Sequence, residues 1–101
     1  MRNEQVLRAL AEPRRRAILR LVRDGPRSAG DIADHFEVTQ QAVSQHLQVL
    51  AAARLVRMRR DGKRRLYVVN PDALVALDRF LAELWPAGLR RLKRAVESRH
   101  G

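Results

Sequence analysis

Residues 55 to 69 read LVRMRRDGKRRLYVV, two β-prone runs joined by Asp61-Gly62, in a chain whose other apolar residues recur at helical spacing. Asp-Gly between two such runs is the strongest short-range hairpin signal, because both residues tolerate the positive φ of a tight two-residue turn. With helices on either side of one hairpin, the fold class expected is mainly α with a small β-hairpin. A chain of 101 residues makes one domain, over 1–101, with a single adequate but modest core, so burial shared with a partner subunit would help it. Its 46% apolar content is that of a globular protein.

Upstream of the hairpin, Val6, Leu7 and Leu10 form a short apolar stripe. Pro13 opens the next helix, where a missing N–H costs nothing. Ile18, Leu19, Leu21 and Val22 give that helix a buried face, and Asp24-Gly25-Pro26 stops it. Ser28 with Asp31 makes a capping-box pair for a third helix ending near Phe36. Thr39 caps a fourth, in which Val43, Leu47 and Leu50 recur at i, i+4 and i+7. After the hairpin, Asn70-Pro71-Asp72 starts a long helix carrying Leu74, Leu77, Leu81, Leu84, Leu89, Leu92 and Val96, which Pro86 and Gly88 should kink or split.

Charge narrows the partner. Lys and Arg number 21 against 11 Asp and Glu, a net +10, so the partner expected is polyanionic: nucleic acid first, an anionic membrane second. No cysteine is present, which removes disulfides and thiolate chemistry. Met1 to Pro13 lacks the apolar core of a secretory signal, and no run approaches the roughly 20 apolar residues of a membrane span. A cytoplasmic location is the expectation.

Against this background the uncharged stretch TQQAVSQHL, residues 39–47, stands out. With Gln40 at zero on a helical wheel, Ser44, Gln48, Gln41 and Gln45 fall at about 40°, 80°, 100° and 140°, while Val43, Leu47 and Leu50 fall at about 280° to 340°. One face is apolar and the other hydrogen-bonds without charge. Glutamine can donate and accept at once, matching adenine N6 and N7, and serine can do either. Gln40, Gln41, Ser44 and Gln45 are therefore the candidate base readers. Good exposed helix formers would look the same in isolation, but the neighbours favour readout. The short link Glu37-Val38-Thr39 gives helix-turn-helix geometry over 28–53, and the hairpin over 55–69 carries Arg57, Arg59, Arg60, Lys63, Arg64 and Arg65 in the charge pattern of a β-wing. Thr39, Gln48, Arg59, Arg60, Lys63, Arg64 and Arg65 are the candidates for the DNA backbone, where charge belongs.

Ile32-Ala33, Phe36 and VTQQAVSQHLQVLAAARLVRMRRDGKRRLYVV resemble the winged helix-turn-helix of the ArsR-type (arsenic-repressor) family of bacterial transcriptional regulators. Val43-Ser44, His46-Leu47, Leu50, Leu55-Val56, Gly62 and Tyr67 carry the resemblance, supported upstream by LAEPRRRAIL. One departure is Arg54, where the family usually has a helix-ending glycine. The resemblance implies a winged helix-turn-helix with N- and C-terminal dimerisation helices, acting as a homodimeric repressor of a palindromic double-stranded DNA operator. The residues reach the dimer independently. The apolar stripe of the C-terminal helix, over 71–99, is too long for one small core to cover, and Phe80 and Trp85 add aromatic area. Leu77, Phe80, Leu81, Leu84 and Trp85, with Leu7 and Leu10 of the first helix, are the candidate dimer contacts.

Many relatives implied by that resemblance sense metals, but no metal site is expected here. The cysteine-based site is impossible, and in the last helix Asp78 is followed two places on by Phe80 rather than histidine, leaving Glu97 and His100. Asp31 and His35 sit at i, i+4, but two ligands without a third more often mean a surface ion pair. His46 falls beside the apolar face and is expected to pack, or to bond a backbone group or a phosphate. Arg14, Arg15 and Arg16 could contact phosphate or be a solvated helix start. Phe80 and Trp85 at helical spacing read as core or interface before effector pocket. A small-molecule effector stays open, without identity. No Ser-His-Asp cluster or glycine-rich phosphate loop supports an enzyme, and no cofactor is expected. The alternatives are a basic architectural or RNA-binding protein without sequence readout, which would leave the amide face without purpose, and a protein-interaction module, which the net +10 argues against.

Overall fold

The structure, a computed structural model, describes residues 2–84 together with 94, 96 and 97. Its elements follow in the order α1 (Arg2–Ala11), α2 (Pro13–Arg23), α3 (Ala29–Phe36), α4 (Gln40–Ala52), β1 (Val56–Asp61), β2 (Arg64–Val69) and α5 (Pro71–Leu84). The fold is mainly α with one antiparallel hairpin. Trp85, Pro86, Gly88, Leu89, Leu92 and His100 lie outside the described residues.

Local chemistry starts the helices where the sequence marks them. Pro13 occupies the first turn of α2, and the Glu12 carboxylate accepts from the Arg14 N–H at 3.2 Å. At α3 the capping box is complete: Ser28 Oγ accepts from the Asp31 N–H at 3.1 Å, and Asp31 Oδ2 accepts from the Ser28 N–H at 3.3 Å. Thr39 Oγ1 accepts from the Ala42 N–H at 3.1 Å and opens α4.

The core gathers under α4. Val43, Leu47 and Leu50 are buried against Ile18 and Val22 of α2, Ile32 of α3 and Leu55 and Val56 at the root of the hairpin. In α1 the buried residues are Val6 and Ala9, with Leu10 half-buried, whereas Leu7 remains 44% exposed. The core stripe of α1 therefore runs through Ala9, not through Leu7. α5 commits little to this core: Ala73 is buried and Leu77 packs against the cluster, while Leu74, Val75 and Leu84 are each about half exposed.

Two expectations are corrected. The hairpin turn is Gly62-Lys63 rather than Asp61-Gly62, because Asp61 pairs with Arg64 across the ladder. Of the two turn residues only Gly62 has a positive φ, 64°, which matches a turn with glycine at its first central position. The register is set from the other end, where Val56 pairs with Val69 over the core and Arg59 opposes the buried Leu66. Arg15 and Arg16 are also not a solvated helix start: they close the end of α1. Arg15 donates to the carbonyls of Ala9 (2.7 Å) and Arg8 (3.1 Å), and Arg16 to those of Leu10 (2.7 Å) and Ala11 (3.1 Å). Those carbonyls have no partner within α1, and cations suit the negative end of its dipole. Arg14 lies 5.7 Å from the Phe36 ring centroid.

Candidate nucleic-acid interface

Glu37-Val38-Thr39 fixes the angle between α3 and α4. The Val38 N–H donates to the Ala33 carbonyl at 3.1 Å and the Glu37 N–H to that of Asp34 at 3.3 Å, with Glu37 at φ 55°. This is the Schellman pattern, with glutamate in the left-handed position that usually takes glycine. α4 ends the same way: the Leu55 N–H donates to Leu50 at 2.9 Å, the Arg54 N–H to Ala51 at 3.0 Å, and Arg54 has φ 61°. The departure from glycine at Arg54 leaves the turn itself intact. α4 thus leaves α3 by one sharp turn and enters the hairpin by another.

Its apolar side buried, α4 turns the amide side outward. Gln40, Gln41, Gln45 and Gln48 are exposed and Ser44 is half-buried. Gln40 and Ser44 line an open cleft of about 420 Å³ with Ser28, Gly30, Lys63, Arg64, Arg65 and Tyr67. Gln41, Gln45, Gln48, Arg59 and Arg60 are not among the residues lining it; all are exposed, the arginines on β1. Arg60 and Arg65 share one face of the hairpin while Arg57, Arg59 and Arg64 share the other, as the pairing requires. The cleft reaches the first turn of α3, where a Cβ added to Gly30 would sit 3.6 Å from Gln40 Oε1.

Two long-range links hold the hairpin against α3 and the segment before it. Backbone bonds join Arg27 and Tyr67, Tyr67 N–H to the Arg27 carbonyl at 2.7 Å and Arg27 N–H to the Tyr67 carbonyl at 3.2 Å. Nearer the tip, Arg64 Nη2 donates to Asp31 Oδ2 at 2.8 Å. Asp31 therefore does not pair with His35, which instead packs edge-on against Phe36 at 4.9 Å. The Ser28 N–H and hydroxyl, and then Arg64 and Arg27, hold the Asp31 carboxyl below its ordinary value, so it is ionised at neutral pH. The sequence marks Asp31 as a cap and as an ion-pair candidate for His35; the partner it takes, Arg64, lies 33 residues away, beyond any local signal. His46 is half-buried, its Nδ1 3.5 Å from Arg15 Nη1. Among the described residues no three His, Asp or Glu side chains gather as a metal site would require, and no helix is long and apolar enough to cross a membrane.

A family profile described as a helix-turn-helix domain matches residues 10–59. A search of characterised proteins finds the HTH-type transcriptional regulator Rv2034 of Mycobacterium tuberculosis, 39% identical over 94% of this chain and 89% of the relative. The transcriptional repressor SdpR of Bacillus subtilis is 38% identical over 68% of this chain and 77% of its own length. Among solved structures, the homodimeric winged helix-turn-helix DNA-binding domain of Mb0332 from Mycobacterium bovis superposes with a TM-score of 0.69. It is 34% identical over 81% of this chain and 79% of that one. The chain belongs to the ArsR-type family of transcriptional regulators. In the terms of that family α3 and α4 are the helix-turn-helix and the hairpin is the wing.

Proposed function

We propose that this ArsR-type regulator is a homodimeric repressor that recognises a palindromic operator in double-stranded DNA. Gln40, Gln41, Ser44 and Gln45 read base edges from the major groove, and Thr39, Gln48, Arg59, Arg60, Lys63, Arg64 and Arg65 contact the backbone. The observation that carries the reading is the shared cleft, in which uncharged Gln40 and Ser44 face cationic Lys63, Arg64 and Arg65. Amides suit base edges and cations suit phosphates, and one duplex lying along the cleft would meet both. Repression is argued from the likeness to SdpR, named a repressor.

The dimer is argued from apolar surface. Leu7, Leu74, Val75 and Leu84 are 44%, 53%, 54% and 51% exposed, more than a small protomer covers by itself. Pairing α1 and α5 across a two-fold axis would bury them together with the half-buried Leu10, Leu77, Phe80 and Leu81, and Trp85 is assigned to the same contact. The homodimeric state named for the Mb0332 domain supports this. Such an axis presents two α4 helices to successive major grooves about 34 Å apart. A regulator of this kind is not an enzyme and works in the cytoplasm, where the chromosome is. Metal and cofactor have no part in the reading.

Selection from random duplexes tests it: the bound pool should converge on an inverted repeat with half-sites about one helical turn apart. Leu84→Glu, at a position half exposed in the protomer, should leave a folded monomer that no longer enriches that repeat. A wild-type chain that sediments as a monomer at micromolar concentration, or a pool without symmetry, overturns the proposal.

A further inference from the structure

We propose that Asp31 is a specificity-determining residue: it occupies the Arg64 guanidinium as a phosphate would, and so restrains the wing from binding DNA irrespective of sequence. The inference rests on the DNA-binding reading above. Three observations lead to it. Arg64 lines the same cleft as Gln40 and Ser44, so its charge sits beside the proposed base-reading groups. Its Nη2 lies 2.8 Å from Asp31 Oδ2, and the pair joins the wing to α3; the other ion pair among the described residues, Arg23 with Asp24, is between chain neighbours. The same Oδ2 accepts from the Ser28 N–H at 3.3 Å, so the carboxylate is anchored to the first turn of α3 rather than swinging freely.

The consequence is electrostatic. Lys63 and Arg65, the other cations of the cleft, have no carboxylate partner among the described ion pairs, whereas Arg64 is matched one to one. A phosphate that approaches Arg64 must displace Asp31 or share the guanidinium with a fixed negative charge. On a duplex of arbitrary sequence that competition removes about one phosphate contact per subunit from non-specific binding. On the operator, where α4 is seated, the wing need not slide to another phosphate, and the bond to α3 keeps it in register. Asp31 therefore subtracts more from random than from specific binding, which is how a repulsive element raises discrimination.

Asp31→Asn tests this with the full chain, because asparagine keeps an acceptor for the Ser28 N–H while removing the charge; Asp31→Gln, the other capping-box amide, replaces it if melting shows α3 lost. Titration against a random-sequence duplex and the selected operator at several salt concentrations is the readout. The expected result is about three- to tenfold tighter binding to the random duplex and a log K against log salt slope steeper by about 0.9 per subunit. The operator-to-random ratio should fall by a similar factor, and none of these changes should appear when Asp31→Asn is made in an Arg64→Ala background. An unchanged slope and random affinity would overturn the proposal, as would steepening that persists without Arg64, since that would be plain repulsion of phosphate. A wild-type chain with no salt-dependent duplex binding would instead bring down the DNA-binding reading itself.

Discussion

Helix α4 and the wing approach the same cleft with opposite chemistries and opposite support. α4 has no charged residue from Gln40 to Ala52 and is fixed by three fully buried side chains, Val43, Leu47 and Leu50. The wing carries cations at Arg57, Arg59, Arg60, Lys63, Arg64 and Arg65, and past its root Leu66 is its only buried residue. Beside the packing of Val56, Tyr67 and Val69 on the core, it is tied down by two polar links, the Arg27–Tyr67 backbone pair and the Asp31–Arg64 ion pair. The difference suits what each proposed partner surface demands. Base edges are read only within a narrow geometry, which favours a rigidly packed helix for the groups proposed to read them. Phosphates recur along the duplex and attract from a distance, so cations proposed to meet them tolerate an exposed, lightly anchored hairpin.

The largest expected effect would break the contrast in support. Leu47→Ala should cost about 2 to 5 kcal/mol of stability, since it opens a cavity beneath the exposed amide face of α4. Met58→Ala on the wing, where Met58 is 45% exposed, should stay within about 0.5 kcal/mol. Urea unfolding at one fixed protein concentration measures both, because a dimer's midpoint shifts with concentration. Comparable losses would mean that the wing has a packed core of its own and that the contrast fails.

The contrast in chemistry is sharpened by four single substitutions. Gln41→Ala and Gln45→Ala should each cost about 1 to 3 kcal/mol per base contact on the operator, with little loss on random duplex and an unchanged salt slope. Lys63→Ala and Arg65→Ala should weaken both duplexes by similar factors and flatten the slope by about 0.9 per lost contact, about 1.8 per symmetric dimer. An amide releases no counterions and a cation does. Glutamine variants that keep full operator preference would move readout off α4 and favour an architectural role.

What the sequence made legible was whatever neighbours in the chain decide. Ser28 with Asp31, Thr39, Pro13 and the i, i+4, i+7 stripe through Val43 each act within one or two turns, and all function in the structure as the sequence implies. The turn slipped by one residue because Asp61 and Gly62 satisfy a turn in either register, and distant pairing at Val56 and Val69 chose between them. The Arg15 and Arg16 bonds depend on how α2 folds back beside the end of α1, and a run of arginine says nothing of that. Asp31–Arg64 and Arg27–Tyr67 join residues that approach each other only when the wing docks on the helices. In the candidate site, the faces of α4 were therefore readable and the anchoring of the wing was not.

The smallest effect concerns the two joints of α4, which share a geometry but differ in charge. Glu37, before the helix, and Arg54, after it, both hold left-handed φ values, 55° and 61°, at Schellman ends where glycine avoids a cost of about 1 to 2 kcal/mol. Glycine also widens the unfolded ensemble, which returns about 0.4 to 1 kcal/mol. Charge decides the balance. Glu37 is an anion at the negative end of the α3 dipole, so Glu37→Gly removes strain and an unfavourable charge and should stabilise by about 1 kcal/mol. Arg54 is a cation at the negative end of the α4 dipole, an interaction worth about 0.3 to 1 kcal/mol, so Arg54→Gly loses roughly what it gains and should change stability by less than about 0.5 kcal/mol. Urea midpoints at low ionic strength should separate the two variants, and added salt should narrow the gap as the dipole term is screened. Equal stabilisation at both joints would show that strain alone governs them. The entry to α4 and its exit to the hairpin would then be interchangeable in energy as well as in geometry.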